Sequence, residues 1–160
     1  MAFGSSSAVF AAHVVSTFGT RGTGDTGFVG ANVIKAALFN DSVTPDKSAA
    51  VGSTGYNTGT WVTANEVTDA TNWAAGGRTL ASKTGAASSN VATFDAADTA
   101  GGGTLTIANA YGALVYNDSV TAGTVADQGI CFNSFGGAQS VTGGTFTIVW
   151  SANGIFQITV

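Results

Sequence analysis

The sequence predicts an all-β fold: a single β-sandwich of the jelly-roll or immunoglobulin-like type, with about 8–10 short strands and an N-terminal arm. Short runs of alternating apolar and polar residues recur along residues 33–160, and turns rich in Gly, Asn, Asp and Ser separate them. The same region contains no long amphipathic helical pattern. The expected strands are 33–39, 60–63, 78–83, 90–94, 104–108, 111–116, 129–133, 144–150 and 155–160.

The clearest predicted element is a hairpin at residues 144–160, GTFTIVWSANGIFQITV. Apolar and polar residues alternate on both sides of Asn153-Gly154, a pair that tolerates the positive φ angles of tight hairpin turns. Because an isolated hairpin is marginal in water, its apolar face must pack on other strands. That face contains Phe146, Ile148 and Trp150 on the first strand and Phe156, Ile158 and Val160 on the second.

Composition narrows the classes of partner. At 160 residues the chain suits one domain with a genuine core. Only 9% of residues are charged, the net charge is -4, and the five basic residues are scattered, so we expect binding neither to nucleic acid nor to a membrane surface. The single cysteine, Cys131, excludes an internal disulfide and is expected to be a small buried residue. A weakly charged surface suits packing against copies of itself or a larger assembly.

Residues 1–30 differ from the rest and predict a separate N-terminal arm with a glycine-rich hinge, followed by the sandwich domain at 31–160. Residues 8–18 read equally as a short helix or as a strand. Further along, residues 41–56 contain the only proline, Pro45, and predict a long surface loop. The apolar residues of the arm that could contact a partner are Phe3, Phe10, Val14, Val15 and Phe18.

The chain contains short matches to catalytic and cofactor-binding motifs, but the residues around them do not support either function. Gly22, Gly24 and Gly27 form a G-x-G-x-x-G sequence, but the alternating strands and helices of a dinucleotide-binding fold do not follow. The single histidine, His13, has no recognisable nucleophile partner, and one Cys with one His cannot form a zinc site. Asp95 and Asp98 could offer oxygens to Ca²⁺, although Asp is ordinary in such a turn. We therefore expect no catalytic residue, cofactor or metal.

Two further patterns are open to interpretation. Trp61 and Trp73 border Gly- and Asn-rich loops, so we predict exposed aromatic contacts, which would also suit a carbohydrate-binding sandwich. Residues 37–44 (ALFNDSVT) and 114–121 (LVYNDSVT) repeat an apolar strand end before an Asn-Asp-Ser turn. This repeat is either chance or a sign of equivalent strand exits in two sheets.

Several segments together resemble one family, and they occur in a consistent order along roughly residues 33–160. They are IKAALF at 34–39, NEV at 65–67, AGGRTL at 75–80, ATFDAADT at 92–99, ALVYND at 113–118 and the terminal stretch 144–160. These segments resemble small virion structural proteins of tailed bacteriophages, a family of capsid decoration (minor capsid) and minor tail proteins. The resemblance implies a non-enzymatic β-sandwich displayed on the phage particle.

The resemblance and the composition lead to one main expectation. The chain would be a capsid decoration or cement protein on the outer surface of the phage head, self-associating as a homotrimer. Its partner would be the major capsid protein, and the apolar arm would lie along neighbouring capsomers and become ordered on binding. The alternatives are a minor tail protein or tail-fibre module, which would use the same residues, and a carbohydrate-binding β-sandwich that uses Trp61 and Trp73.

Overall fold

The predicted all-β fold is confirmed by the computed structural model, in which several antiparallel sheets pack together as a sandwich. The structure describes residues 7–9, 27, 29–88 and 91–159. The strands in this part of the chain are β1 (Ala8–Val9), β2 (Ile34–Phe39), β3 (Arg78–Thr79), β4 (Thr84–Ser88), β5 (Val91–Asp95), β6 (Thr99–Ala100), β7 (Leu105–Asn117), β8 (Gln128–Gly144), β9 (Thr147–Ile148) and β10 (Phe156–Thr159).

The main sheet has the strand order β1-β8-β7-β2-β3, and all its neighbouring strands are antiparallel. Two smaller sheets, β10-β5-β4 and β6-β9, complete the described β-structure. Strands β7 and β8 are much longer than predicted: the two expected strands at 104–108 and 111–116 are one strand, and the expected strand at 129–133 continues to Gly144. The left-handed Asn109, at φ 58°, lies inside β7 where its register against β8 shifts.

Both faces of the main sheet are buried at β2 and the adjoining half of β7, which explains why β2 is apolar almost throughout. Alternate residues along a strand point to opposite faces, and the buried side chains accordingly form two clusters. The first packs towards the smaller sheets and includes Ile34, Leu38, Val115, Cys131 and Trp150. The second lies on the opposite face and includes Phe39, Val43, Trp61, Leu114, Tyr116 and Phe132.

The loop that follows β2 packs over the second face of the main sheet. The sequence predicted a surface loop at 41–56 and a strand at 60–63, and the prediction of the strand is wrong. The segment makes two 3-10 turns instead, Val51–Ser53 and Thr63–Asn65. The amide N–H of Trp61 donates to the carbonyl of Thr58 at 3.0 Å. The backbone of Trp61 is therefore part of a local turn and not of a strand ladder, and its indole packs against Phe39 of β2.

The terminal hairpin is only partly as predicted. Its turn forms: Gly154 has φ 85°, and its N–H donates to the carbonyl of Ser151 at 2.8 Å. The strands beyond the turn separate, because β9 pairs with β6 whereas β10 pairs with β5. The predicted strand at 78–83 is also interrupted after Thr79, and β4 starts at Thr84. The tight turn is a local property, whereas the choice of strand partner depends on distant residues.

Candidate functional site

The two tryptophans predicted as exposed contacts are buried, so that prediction was wrong. Trp61 is 1% exposed and Trp73 is 0% exposed. The Trp61 ring packs edge-on against Phe39 with centroids 5.1 Å apart, and the Trp73 ring packs edge-on against Phe146 at 5.7 Å. Their Gly- and Asn-rich neighbours indicated loops, but these loops lie on the sheet faces, where the indoles gain apolar contacts. A carbohydrate-binding surface cannot be built from these two residues.

The five apolar arm residues, Phe3, Phe10, Val14, Val15 and Phe18, lie outside the described residues. What the structure does describe of the arm is its attachment to the body. Strand β1 pairs with β8 through Ala8 opposite Phe132 and Val9 opposite Cys131. The hydroxyl Oγ of Ser7 also accepts a hydrogen bond from the amide N–H of Ser134 at 3.0 Å. The arm is therefore fixed to the edge of the main sheet near its N-terminal end.

A groove of about 580 Å³ lies directly beside this attachment and is the best candidate for a functional site. Cavities of about 300–1,000 Å³ are the usual size of ligand sites. Among the residues that the structure describes, the side chains that line the groove include no charged one. Its apolar lining includes Phe135, Phe146, Ile148, Trp150 and Ile155, and its polar lining includes Ser7, Asn133, Ser134, Gln139 and Ser151.

One side of the groove is a bulge in β8. Opposite β7, the partner of Ala110 is Gln139 and the partner of Gly112 is Ser134, so several residues of β8 face a single intervening residue of β7. Gly136 has φ 75°, a left-handed conformation that favours glycine. Bulges of this kind redirect side chains at sheet edges. Here the bulge begins at Phe135, whose ring packs edge-on against that of Phe146 with the ring centroids 6.0 Å apart.

The other side of the groove is the segment 146–151, which the β5–β6 turn holds in place. The amide N–H of Trp150 donates to Oδ1 of Asp98 at 3.0 Å, and its indole Nε1–H donates to Oγ1 of Thr99 at 3.2 Å. The carbonyl of Phe146 accepts from the N–H of Gly101 at 2.8 Å. Asp98, which the sequence suggested as a possible calcium ligand, thus has a structural partner in the backbone of Trp150.

A second polar feature, which the sequence did not predict, lies between the loop that follows β2 and the main sheet. The Tyr56 hydroxyl donates to Oε2 of Glu66 at 2.8 Å, and the Gly76 N–H donates to Oε1 of the same carboxylate at 2.8 Å. The Tyr116 hydroxyl donates to the Gly76 carbonyl at 2.8 Å, and the Tyr56 and Tyr116 rings stack 4.9 Å apart. Four separate segments meet here, so no local sequence signal could have revealed the network.

Burial governs the ionisation of this network. It raises the pKa of the Glu66 carboxyl above its ordinary value, against the opposing effect of the hydrogen bonds from Tyr56 and Gly76. Burial also raises the pKa of both Tyr56 and Tyr116, and for Tyr56 the hydrogen bond to Glu66 adds to the effect. The tyrosines are therefore neutral donors at ordinary pH, which suits a structural cross-link between loop and sheet.

The structure also bears on the sequence-based expectations for the cysteine, for metal binding and for membrane spans. Cys131 is 1% exposed, as expected, and burial raises the pKa of its thiol, so the reactive thiolate is disfavoured. No three His, Cys, Asp or Glu residues of the described ranges cluster as a metal site requires. His13 lies outside those ranges. In the same part of the chain, no helix is long and apolar enough to cross a membrane.

Comparisons with models of protein families, with curated proteins and with solved structures find no match to this chain. The groove was also missed at the level of sequence. Its signals are the Gly136-Gly137 pair inside an otherwise strand-like run and the alternation of Phe146, Ile148 and Trp150. Each of these is visible in the sequence, but only the tertiary structure brings the two together.

Proposed function

We propose that this chain is a non-enzymatic structural protein of a bacteriophage virion, and specifically a capsid decoration or cement (minor capsid) protein on the outer surface of the head. The observation that carries the proposal is the attachment of the arm at the edge of the main sheet, through the pairing of Ala8 and Val9 with β8. The resemblance of residues 33–160 to phage virion proteins and the low charge of the chain support it.

This attachment changes the form of the proposed contact. Residues 10–26 join β1 to the body, which the structure describes again at Gly27 and from Val29 onward. Four of the five proposed contact residues, Phe10, Val14, Val15 and Phe18, belong to this segment, whose only charged residues are Arg21 and Asp25. An apolar and nearly neutral segment is inexpensive to desolvate against a partner. The partner is the major capsid protein, reached by residues tethered at both ends.

Repetition on the particle supplies the remaining affinity. A capsid offers many identical sites, so a homotrimer that contacts several of them binds far more tightly than one copy does.

The test compares two sets of substitutions in the same segment. Replacing Phe10, Val14, Val15 and Phe18 by Ser should abolish co-sedimentation with capsids that lack this protein. The matched control replaces the polar residues His13, Ser16, Thr17 and Thr20 by Ala and should bind as the unmodified chain does. Circular dichroism checks that both variants keep the β fold. Binding retained by the first variant would overturn the role of the segment.

A minor tail protein or tail-fibre module is the competing location, because the same residues would serve it. Immunogold labelling of purified particles separates the two locations. Gold over the head supports decoration, whereas gold confined to the tail replaces it with the tail assignment. The carbohydrate-binding alternative is not carried forward, because Trp61 and Trp73 are buried.

A further inference from the structure

The turn that joins β9 to β10 contains the one Asn-Gly pair of the chain, Asn153-Gly154. Asn153 is exposed to solvent, whereas Gly154 is buried. The side-chain amide carbon of an asparagine can reach the backbone nitrogen of the next residue by closing a five-membered ring, and a following glycine has no Cβ to hinder this approach. Asn153 is therefore the asparagine of this sequence that is most open to cyclisation.

The folded turn restrains this reaction. The amide N–H of Gly154 donates to the carbonyl of Ser151 at 2.8 Å, and the N–H of Asn153 donates to Oγ of Ser151 at 3.1 Å. The nitrogen of Gly154 must lose its proton before it can attack, and the hydrogen bond to Ser151 holds that proton in place. Cyclisation consequently requires the turn to open, which is a local event and does not need global unfolding.

We propose that Asn153 is a site of modification by water, where the side chain is deamidated to aspartate and isoaspartate at a rate set by opening of this turn. The deprotonated nitrogen of Gly154 attacks Cγ of Asn153 and forms a C–N bond. The Cγ–Nδ2 bond then breaks, and the side-chain nitrogen leaves as ammonia with the proton that Gly154 lost. Water opens the resulting cyclic imide. Cleavage at Cγ gives aspartate, whereas cleavage at the backbone carbonyl of Asn153 gives isoaspartate, whose main chain runs through Cβ and Cγ.

The two products fit the fold differently. Aspartate keeps the normal backbone and places its carboxylate at an exposed position, whereas isoaspartate lengthens the main chain by one carbon, about 1.5 Å. Hydrogen bonds hold the chain on both sides of the turn. The N–H of Trp150 donates to Oδ1 of Asp98 at 3.0 Å, and the N–H of Ile155 donates to the carbonyl of Phe94 at 2.8 Å. The extra carbon has to be accommodated between these two bonds.

The packing of Gly154 against β5 leaves little room for a longer backbone. A Cβ on Gly154 would lie 2.6 Å from Cγ2 of Thr93 and 2.7 Å from the carbonyl oxygen of Phe94. The isoaspartyl turn must therefore move away from β5. Because Ser151, Gly154 and Ile155 line the groove, this movement changes the wall of the groove as well. The inference goes beyond the proposed function and does not depend on it.

Peptide mapping by mass spectrometry tests both the site and its control by the turn. The folded chain and the chain in urea are incubated at mildly alkaline pH, and the peptide that contains residue 153 is separated into its Asn, Asp and isoaspartyl forms. We expect both products, formed at least about 10-fold more slowly in the folded chain because only the open fraction reacts. Asn153→Gln should form neither product at an appreciable rate, since its side chain closes a six-membered ring less readily.

A matched pair of serine substitutions tests the role of the turn. Ser151→Ala removes the Oγ acceptor of Asn153 but keeps the Asn-Gly pair. It should speed deamidation several-fold in the folded chain and leave the rate in urea unchanged. The control is Ser48→Ala, because the Ser48 hydroxyl is exposed and bonds Asp46 in the loop that follows β2. This variant should leave both rates unchanged.

The structural consequence is tested on the purified products. We expect the isoaspartyl form to unfold at a lower urea concentration than the unmodified chain. Asn153→Asp adds the same charge on a normal backbone and should unfold as the unmodified chain does. Four results would overturn the proposal: no product at residue 153 in the folded chain, equal rates with and without urea, a rate that Ser151→Ala leaves unchanged, or an isoaspartyl form as stable as Asn153→Asp. None of these measurements requires a capsid, so the proposed function is tested separately.

Discussion

Ala37 of β2 and Leu114 of β7 lie directly opposite each other in the main sheet, and they occupy the same position in the two copies of the repeated sequence. The sequence left the repeat open between chance and equivalent strand exits in two sheets; in the structure both copies belong to one sheet and leave it at opposite ends. An antiparallel pair that meets at equivalent residues has local two-fold symmetry.

The turns at the two ends of this pair are equivalent in detail. Oδ1 of Asn40 accepts from the N–H of Ser42 at 2.9 Å, and Oδ1 of Asn117 accepts from the N–H of Ser119 at 3.1 Å. In both turns the Asn carbonyl also accepts from the valine three residues on, at 3.4 Å and 3.3 Å. The sequence predicted turns at both Asn-Asp-Ser segments, and the bonds from the Asn side chains show that they are Asx turns.

The symmetry is broken by burial, and this predicts unequal effects of the same substitution. Asn117 is 2% exposed, whereas Asn40 is only half-buried. We expect Asn117→Ala to lower the free energy of unfolding by about 1–3 kcal/mol and Asn40→Ala by about 0.5–1 kcal/mol, since the cost of an unmade hydrogen bond grows with burial. Urea denaturation measures both. Equal losses would contradict the assignment of Asn117 to the interior.

The Glu66 network predicts a pH dependence. Burial raises the pKa of this carboxyl above the ordinary value of 4.5. In the pH window between 4.5 and the higher pKa of the folded state, the folded state holds a proton that the unfolded state has released. The stability contributed by Glu66 therefore falls as pH rises through this window. Replacing Glu66 by Gln removes the titration, so the unfolding free energy of Glu66→Gln relative to the unmodified chain should increase from pH 4 to pH 7.

The control for this experiment is Glu66→Ala. It should be destabilised by about 1–3 kcal/mol at every pH, because the Tyr56 hydroxyl and the Gly76 N–H both lose their acceptor. Glu66→Gln keeps groups that can bond both partners. If the unmodified chain gains stability over Glu66→Gln as the pH rises, the sign of the pKa shift is wrong.

The buried tryptophans predict large losses on truncation. Trp61→Ala and Trp73→Ala should each lower the free energy of unfolding by about 3–5 kcal/mol, because each leaves a cavity in a packed cluster. Val149 is 72% exposed, and Val149→Ala should change stability by less than about 0.5 kcal/mol. Chemical denaturation monitored by circular dichroism checks all three. Small effects at the tryptophans would restore the surface role that the sequence predicted.

Gly77 predicts a strict requirement for glycine. Its φ is 74°, and a Cβ at this position would overlap the carbonyl group of Ala36 in β2. Gly77→Ala should therefore cost more than about 2 kcal/mol of unfolding free energy. Gly52 has no neighbour within 4 Å of such a Cβ and no positive φ, so Gly52→Ala is the matched control and should be near neutral. Thermal unfolding of both variants measures the difference. Equal melting temperatures for Gly77→Ala and Gly52→Ala would disprove the close approach of Gly77 to β2.

The residues also show where prediction from sequence succeeds. The all-β class, the strand at Ile34–Phe39, the tight turn before Gly154, the Asx turns at Asn40 and Asn117 and the buried Cys131 all follow from signals within a few residues. Alternation of apolar and polar residues and the backbone preferences of Gly and Asn are local properties. They act in the same way wherever the segment lies in the fold.

By itself, then, the sequence determined the all-β class, the strand at Ile34–Phe39 and the tight turn before Gly154, because those features depend on neighbouring side chains. Only the tertiary structure decided which strands pair: β9 with β6 and β10 with β5, although one turn joins β9 to β10. It likewise decided that Trp61 and Trp73 are buried, that the Glu66 network forms, and that a groove lies beside β1. These features join residues far apart in the chain, and their free energy comes from burial that exists only after the sheets have packed.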